Sequence, residues 1–332
     1  MRPLQSATAR SWCRVDLGGG TLDIWPLGLF HPGARTVNVA IDLAVTVRIA
    51  PAPVYRVRQG DSLVEAASLA ELAASPDGSL VAVVAEALDL PPVEVELGSA
   101  SPRGGGLGAS SAMAVALIAA AEAALGLDPS PPAARVHLAR DLEARLMRLP
   151  TGMQDHYPGL LGGVLEIRSA PGGEKVRRLS VDLEALGDHL VVVYSGISHF
   201  SAGQNWQVVR RRLDGDPDSI ALFDGIAAAA AGLPEALEKG ELPRAGALLA
   251  QEWSFRRRLA EGVSTPELER LLDAARAQGA WGGKACGAGG GGCLALLCPP
   301  ERRADVARAL EAAGGRVLAT RPTGRALTVT VG

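Results

Sequence analysis

Apolar positions change their period several times along the chain. Val37 to Ile49 is rich in β-branched residues with partial alternation, which predicts a strand. Ser68 to Leu88 has helical spacing, interrupted by the turn sequence Ser75-Pro76-Asp77-Gly78. Val93 to Leu97 alternates valine with acidic residues, the mark of a short half-exposed strand. A glycine-rich turn follows at once, and an apolar run then predicts a helix from Ser110 to Leu125. Pro131-Pro132 opens an amphipathic helix that reaches Arg148 and stops at Pro150. Gly162 to Ile167 and Leu190 to Tyr194 read as strands, and the domain change is placed near the second.

The second half is helix-rich, with helices expected over Ala202–Leu213, Ile220–Leu233, Pro243–Leu259 and Pro266–Ala277. Strands are expected over Val191–Tyr194, Gly282–Cys286, Cys293–Cys298 and Arg316–Thr320, with a fifth candidate over Arg325–Val331. A helix from Pro300 to Ala313 lies among them. That order suggests an α+β layer with an antiparallel sheet.

The 332 residues exceed one ordinary core, and at roughly 150 residues per domain they predict two. Hydrophobic residues make up 48% and charged residues 21%, as in a packed globular enzyme. A net charge of −3 and a pI near 6.0 speak against nucleic acid or a membrane surface as partner. Cys13, Cys286, Cys293 and Cys298 form no Cys-x-x-Cys pair, and no histidine cluster has metal-ligand spacing. Reduced, buried thiols in a cytoplasmic protein are expected. No signal peptide is read at the N-terminus, and the apolar run Ala112–Leu125 is shorter than the ~20 residues that span a bilayer.

Strand, then Ser101-Pro-Arg-Gly-Gly-Gly-Leu-Gly-Ala-Ser-Ser-Ala112, then apolar helix is the arrangement of an anion site. A helix start offers unpaired N–H groups and a positive dipole end, and glycines let backbone approach a phosphate. A Walker A loop needs a Gly-Lys-Ser/Thr that is missing here. A dinucleotide turn fits Gly104-x-Gly106-x-x-Ala109 loosely, but helix and then Pro131-Pro132 stand where its second strand would lie. A tight strand–helix turn without ligand stays open on this motif alone.

Three motifs together resemble the GHMP kinases, the superfamily of galactokinase, homoserine kinase, mevalonate kinase and phosphomevalonate kinase. They are Arg14-Val-Asp-Leu-Gly-Gly-Gly-Thr-Leu-Asp23, Pro102-Arg-Gly-Gly-Gly-Leu-Gly-Ala-Ser-Ser-Ala112 and Lys284-Ala-Cys-Gly-Ala-Gly-Gly-Gly-Gly-Cys293. The resemblance implies an α+β, two-domain GHMP kinase fold. Residues 1–188 would form a ribosomal-protein-S5-like ATP-binding domain and residues 189–332 a ferredoxin-like α+β domain. ATP and a small-molecule sugar or sugar-phosphate substrate would meet in the cleft between them. A homodimer is compatible with the resemblance.

The same resemblance implies site residues. Arg103, Gly104, Gly105, Gly106, Leu107, Gly108, Ala109, Ser110 and Ser111 would bind ATP. Ser111 and Glu143 would hold Mg²⁺, a cation satisfied by few protein oxygens. Read by periodicity alone, Glu143 is a solvated acid paired with Arg140. Asp155, in Thr151-Gly-Met-Gln-Asp-His-Tyr157, would be the catalytic base, the bland alternative being an Asp that caps a turn. His156 is read as secondary. Arg14 would act beside Asp155 on the transferred phosphoryl group. Gly20, Thr21, Asp23, Asp155, Lys284, Gly287, Ala288 and Gly289 would bind substrate, with strand-end solvation the alternative for Lys284. Ser198-His199-Phe200-Ser201, His31, Arg35 and Asn38 are weaker pocket candidates. Galactokinases carry Glu-His where this chain has Gly20-Thr21, which argues against galactose. Gly18-Gly-Gly-Thr21 with Asp23 is nearer the heptose-phosphate kinase and fucokinase forms, with Leu22 inserted. The substrate expected is therefore a heptose 7-phosphate, phosphorylated at the anomeric hydroxyl. Other GHMP acceptors, or a non-catalytic sugar and ATP sensor, are the alternatives.

Overall fold

The computed structural model describes residues 3–198 and 202–332, the side chains of 202–205 excepted. Strand β1 (Ala7–Gly18) pairs antiparallel with β2 (Arg35–Pro51), and the short helix α1 (Leu27–Phe30) lies in the connection. The hairpin β3 (Tyr55–Gln59) and β4 (Ser62–Ala66) turns at Gly60. Helices α2 (Leu69–Ala74) and α3 (Ser79–Ala87) are separated by the expected turn, and β5 (Val93–Ser99) then inserts between β2 and β3. Next come α4 (Ala109–Ala124), α5 (Pro132–Met147) and α6 (His156–Leu161), followed by the hairpin β6 (Val164–Ala170) and β7 (Gly173–Arg178). The long strand β2 serves two partners on its far side. Its first part pairs with β6 and its second with β5.

Helix α7 (Leu183–His189) leads into β8 (Leu190–Tyr194), and four helices follow: α8 (Ala202–Leu213), α9 (Pro217–Glu238), α10 (Leu242–Arg256) and α11 (Pro266–Ala277). The chain then forms β9 (Gly282–Ala285), β10 (Cys293–Leu297), α12 (Arg303–Ala312) and β11 (Arg316–Val317). These build an antiparallel sheet of order β11-β8-β10-β9. The architecture is the α+β layering expected.

The last strand departs from expectation. The Arg325–Val331 candidate narrows to β12 (Thr328–Val331), which leaves the second sheet and pairs with β1 in the first. Strands β1, β3, β4 and β7 are not among the sequence expectations. β1 hides from pattern reading because its side chains from Ser11 to Gly18 are buried on both faces, charges included.

Helix α4 is the centre of the first layer, and thirteen of its sixteen residues are buried. Its alanines let it settle close on β1 and β2. The same core continues through Leu190, Val192, Leu233, Leu249, Ala295 and Leu297, so the two sheets share packed side chains. α9 is long and apolar enough to cross a membrane by length and composition. Its apolar residues Phe223, Ile226, Ala230 and Leu233 are instead buried, and it packs on α10, β1 and β2.

Truncating the middle of α4 should be costly because the wall around it is already closed. Leu117→Ala, at a fully buried position, should destabilise the fold by about 2–5 kcal/mol in urea unfolding.

Candidate active site

β1 delivers two charges to one face, Arg14 and Asp16, because alternate residues of a strand point the same way. Arg14 is buried, so its donors need partners. Its Nε and Nη2 donate to Asp155 Oδ1 at 2.9 and 2.6 Å, and Nη1 donates to the Gly106 carbonyl at 2.6 Å. Burial works against its charge, but Asp155 and then Asp16 outweigh that and hold the guanidinium above its ordinary range. One side chain thus connects the first motif, the glycine turn and the aspartate loop.

The glycine turn wraps the start of α4. Gly104, Gly106 and Gly108 all have positive φ, and no side chain caps the helix. At Gly106 a Cβ would come to 2.6 Å from the Cys286 carbonyl oxygen, in a left-handed backbone (φ 68). Only glycine lets the turn pass that close to the third motif. The Cys293 N–H donates to Gly105 O at 2.8 Å, a second tie between the two motifs. The first turn of α4 therefore has no side-chain cap, and its residues Ala109, Ser110 and Ser111 line an open cavity.

Glu143 is buried rather than solvated, and Arg140 turns to Asp141 instead. The Ser110 and Ser111 hydroxyls donate to its two oxygens at 2.9 and 2.8 Å. His156 Nε2 lies 2.7 Å from Glu143 Oε2, close enough for charge pairing but off the axis of a straight hydrogen bond. Burial opposes both charges. The pair overcomes it, lowering the Glu143 carboxyl and raising the His156 imidazole. His156 was read as secondary from sequence; its proximity to Glu143 comes from the fold, with no local signal beyond adjacency to Asp155. A carboxylate with hydroxyls beside it, next to an uncapped helix start, suits a cation that takes most of its ligands from phosphate and water.

A cavity of about 480 Å³ joins these groups. The whole stretch Arg103–Ser111 lines it, with Arg14, Thr21, Asp23, Glu143, Asp155, Gly287 and Ala288. Leu80, Leu97, Met113 and Met147 give one region an apolar wall. Asp23 lies with Thr21, Gly152 and Gln154, and its Oδ2 accepts the Gln154 N–H at 2.9 Å. Burial pushes its carboxyl up to about 6; the Gln154 N–H opposes this, and the Asp155 and Asp16 charges add to it.

Other sequence candidates are placed elsewhere. Lys284 is fully buried and does not line the cavity; its Nζ donates to Asp16 Oδ2 at 2.6 Å and lies 3.3 Å from Glu252. Its position at the start of the third motif leaves its direction open, and the strand pairing of β9 with β10 turns it inward. Gly20 and Gly289 are also off the cavity wall. His31 is held between Asp224 and Arg212, Arg35 pairs with Glu166, and the Asn38 amide donates to Gln154 O. None of the three lines the cavity. Ser198 is an exposed loop residue, and His199, Phe200 and Ser201 lie outside the described residues.

The model of the GHMP kinases N terminal domain matches residues 78–163, and that of the GHMP kinases C terminal matches residues 234–316. A mevalonate kinase of Pyrococcus horikoshii is 30% identical over 245 residues, covering 71% of this chain and 68% of that protein. The chain belongs to the GHMP kinase family. A D-glycero-alpha-D-manno-heptose 7-phosphate kinase of Campylobacter jejuni is 27% identical over 223 residues, 65% of this chain and 64% of that protein. The GHMP fold is also that of a solved D-glycero-D-manno-heptose 1-phosphate kinase from Bacteroides thetaiotaomicron. That structure has a TM-score of 0.77 at 21% identity, with 98% of each chain covered.

The raised Asp23 carboxyl has a signed consequence for this GHMP kinase. Its folded value lies above the 3.8 of a free carboxyl, so its contribution to stability falls as pH rises from 3.8 to about 6 and is constant beyond. Asp23→Asn should therefore stabilise the fold by about 1–3 kcal/mol at pH 7.5, with the advantage shrinking toward pH 4. Thermal unfolding of both proteins across that range checks the sign.

Proposed function

We propose that this chain is an ATP-dependent kinase that phosphorylates a hydroxyl of a sugar or sugar phosphate. The observation that carries the reading is the Arg14–Asp155 pair on the wall of a cavity shared with the glycine turn and Asp23. Phosphoryl transfer depends on positioning and charge neutralisation more than on covalent chemistry. Backbone N–H groups of the turn and the α4 start hold the phosphates of ATP. Asp155 accepts the proton of the acceptor hydroxyl, and Arg14 steadies that carboxylate while facing the charge that develops on the transferred group. Both Arg14 donors use Oδ1, so Oδ2 is left out of that pair. Glu143 and Ser111 are the residues that would hold Mg²⁺, which when bound supplies charge neutralisation at the phosphates. Thr21 and Asp23 orient the acceptor, since a carboxylate accepts two hydroxyl donors.

The specific acceptor proposed is a heptose 7-phosphate, taken at its anomeric hydroxyl. Similarity to the Campylobacter heptose kinase and the Gly18–Thr21 turn support it. A second reading, an uncharged sugar of the fucose type, is favoured by one observation. Lys284 and Arg256, the basic groups beside the first and third motifs, are each held by buried carboxylates. Among the described residues, Arg14 and Arg103 are the cations on the cavity wall.

ADP release measured over free sugars, sugar phosphates and mevalonate separates these readings. Turnover is expected with a sugar or sugar phosphate, and ATP binding without turnover on any acceptor would instead support a sensor. Asp155→Asn should lower kcat by about 10²–10⁴-fold while nucleotide affinity stays near wild type. Retained turnover would remove Asp155 from the proton-accepting role.

A further inference from the structure

Thr21 has a left-handed backbone, with φ 72. That region is costly for a β-branched residue and persists where surrounding contacts enforce it. The side chain that grips it is Arg256, which comes from the last turn of α10, more than 230 residues away and outside every motif. Its Nη1 donates to Thr21 Oγ1 at 2.9 Å and its Nη2 to the Gly20 carbonyl at 2.6 Å. Nη1 also reaches Gly287 O at 3.4 Å, in the third motif. Nε and Nη2 both donate to Glu252 Oε1, at 2.9 and 2.7 Å, and Glu252 Oε1 also accepts the Gly19 N–H at 3.3 Å. Arg256 and Glu252 are both buried, so this charge is answered inside the protein.

We propose that Arg256 is the positioning residue of the acceptor site, clamping the Gly19–Thr21 turn so that Thr21 and Asp23 face the acceptor. The proposal rests on the kinase reading above. The Leu22 N–H donates to Gly19 O and the Ile24 N–H to Thr21 O, both at 3.1 Å, so the turn's shape carries directly into Asp23. Arg256 itself is not on the cavity wall, while Thr21, Asp23 and Gly287 are. The planar guanidinium suits the task because its fixed fork addresses four acceptors at once, Thr21 Oγ1, Gly20 O, Gly287 O and Glu252 Oε1; an ammonium keeps the charge but not the fork.

Arg256→Lys separates the clamp from the charge. The acceptor KM should rise about tenfold or more, with kcat within about threefold and nucleotide affinity unchanged. Hydrogen exchange of the apo protein, which needs no turnover, should quicken at residues 18–24 and not at 104–112. An unchanged acceptor KM, a parallel fall in every kinetic constant, or exchange that quickens everywhere or nowhere would overturn the proposal. Should Arg256→Lys fail to fold, Arg256→Gln with Glu252→Gln removes both charges together, and the same readouts apply. A wild-type protein that turns over no acceptor overturns the kinase reading, while exchange still decides whether Arg256 holds the turn.

Discussion

The site depends on charge buried along one face of β1. Arg14 and Asp16 point into the junction of the two sheets, while Cys13, Val15 and Leu17 belong to the core behind. A buried charge costs several kcal/mol unless it is paired. That requirement fixes the neighbours. Arg14 draws in Asp155 and the glycine turn; Asp16 draws in Lys284, with Arg256 3.8 Å away. Burial alone would raise the Asp16 carboxyl, but Lys284, Arg256 and Arg14 together hold it below its usual range. The chemistry on the cavity wall and the ion pairs beneath it are two ends of one strand.

The parts of the site that are local in sequence were legible in it. The glycine turn reads as an anion site because strand, glycines and helix start are contiguous, and Arg103 to Ser111 all line the cavity. Asp155 and Glu143 needed the family pattern, since periodicity alone gave an exposed acid or a turn cap. Arg14 meets Asp155 from 141 residues away, as the family pattern implies, although nothing near either residue announces it. What stayed hidden depends on contacts across long separations outside the motifs. Glu252 and Arg256 are spaced i,i+4, which on a helix usually marks a solvated pair. Here the pair is buried. Lys284 misled for the opposite reason: its place in the third motif drew attention to it, but a motif says nothing about the direction of one side chain. In the fold, β1 escaped notice because burial on both faces erases alternation.

Two regimes meet in the cavity. Around the glycine turn, the proposed nucleotide recognition rests on backbone N–H groups and a helix dipole, which no single side chain controls. Around Asp23, it rests on side chains whose positions are set from behind, by Gln154 on one side and the Arg256 contacts on the other. The first regime is shared by any nucleotide of the right shape. Under the proposed kinase reading, the second is where acceptor preference resides, and changes in α10 reach it without touching the nucleotide.

The pairing of β12 with β1 joins Thr8 to Thr330 across 322 residues. At synthesis rates of about 5–20 residues per second, that edge of β1 waits roughly 16–64 s for its partner. Throughout that time the Ala7–Arg10 edge has no strand partner on that side. The segment that leads into Arg14 and Asp16 is thus made well before its edge partner, and that end of β1 closes late in synthesis.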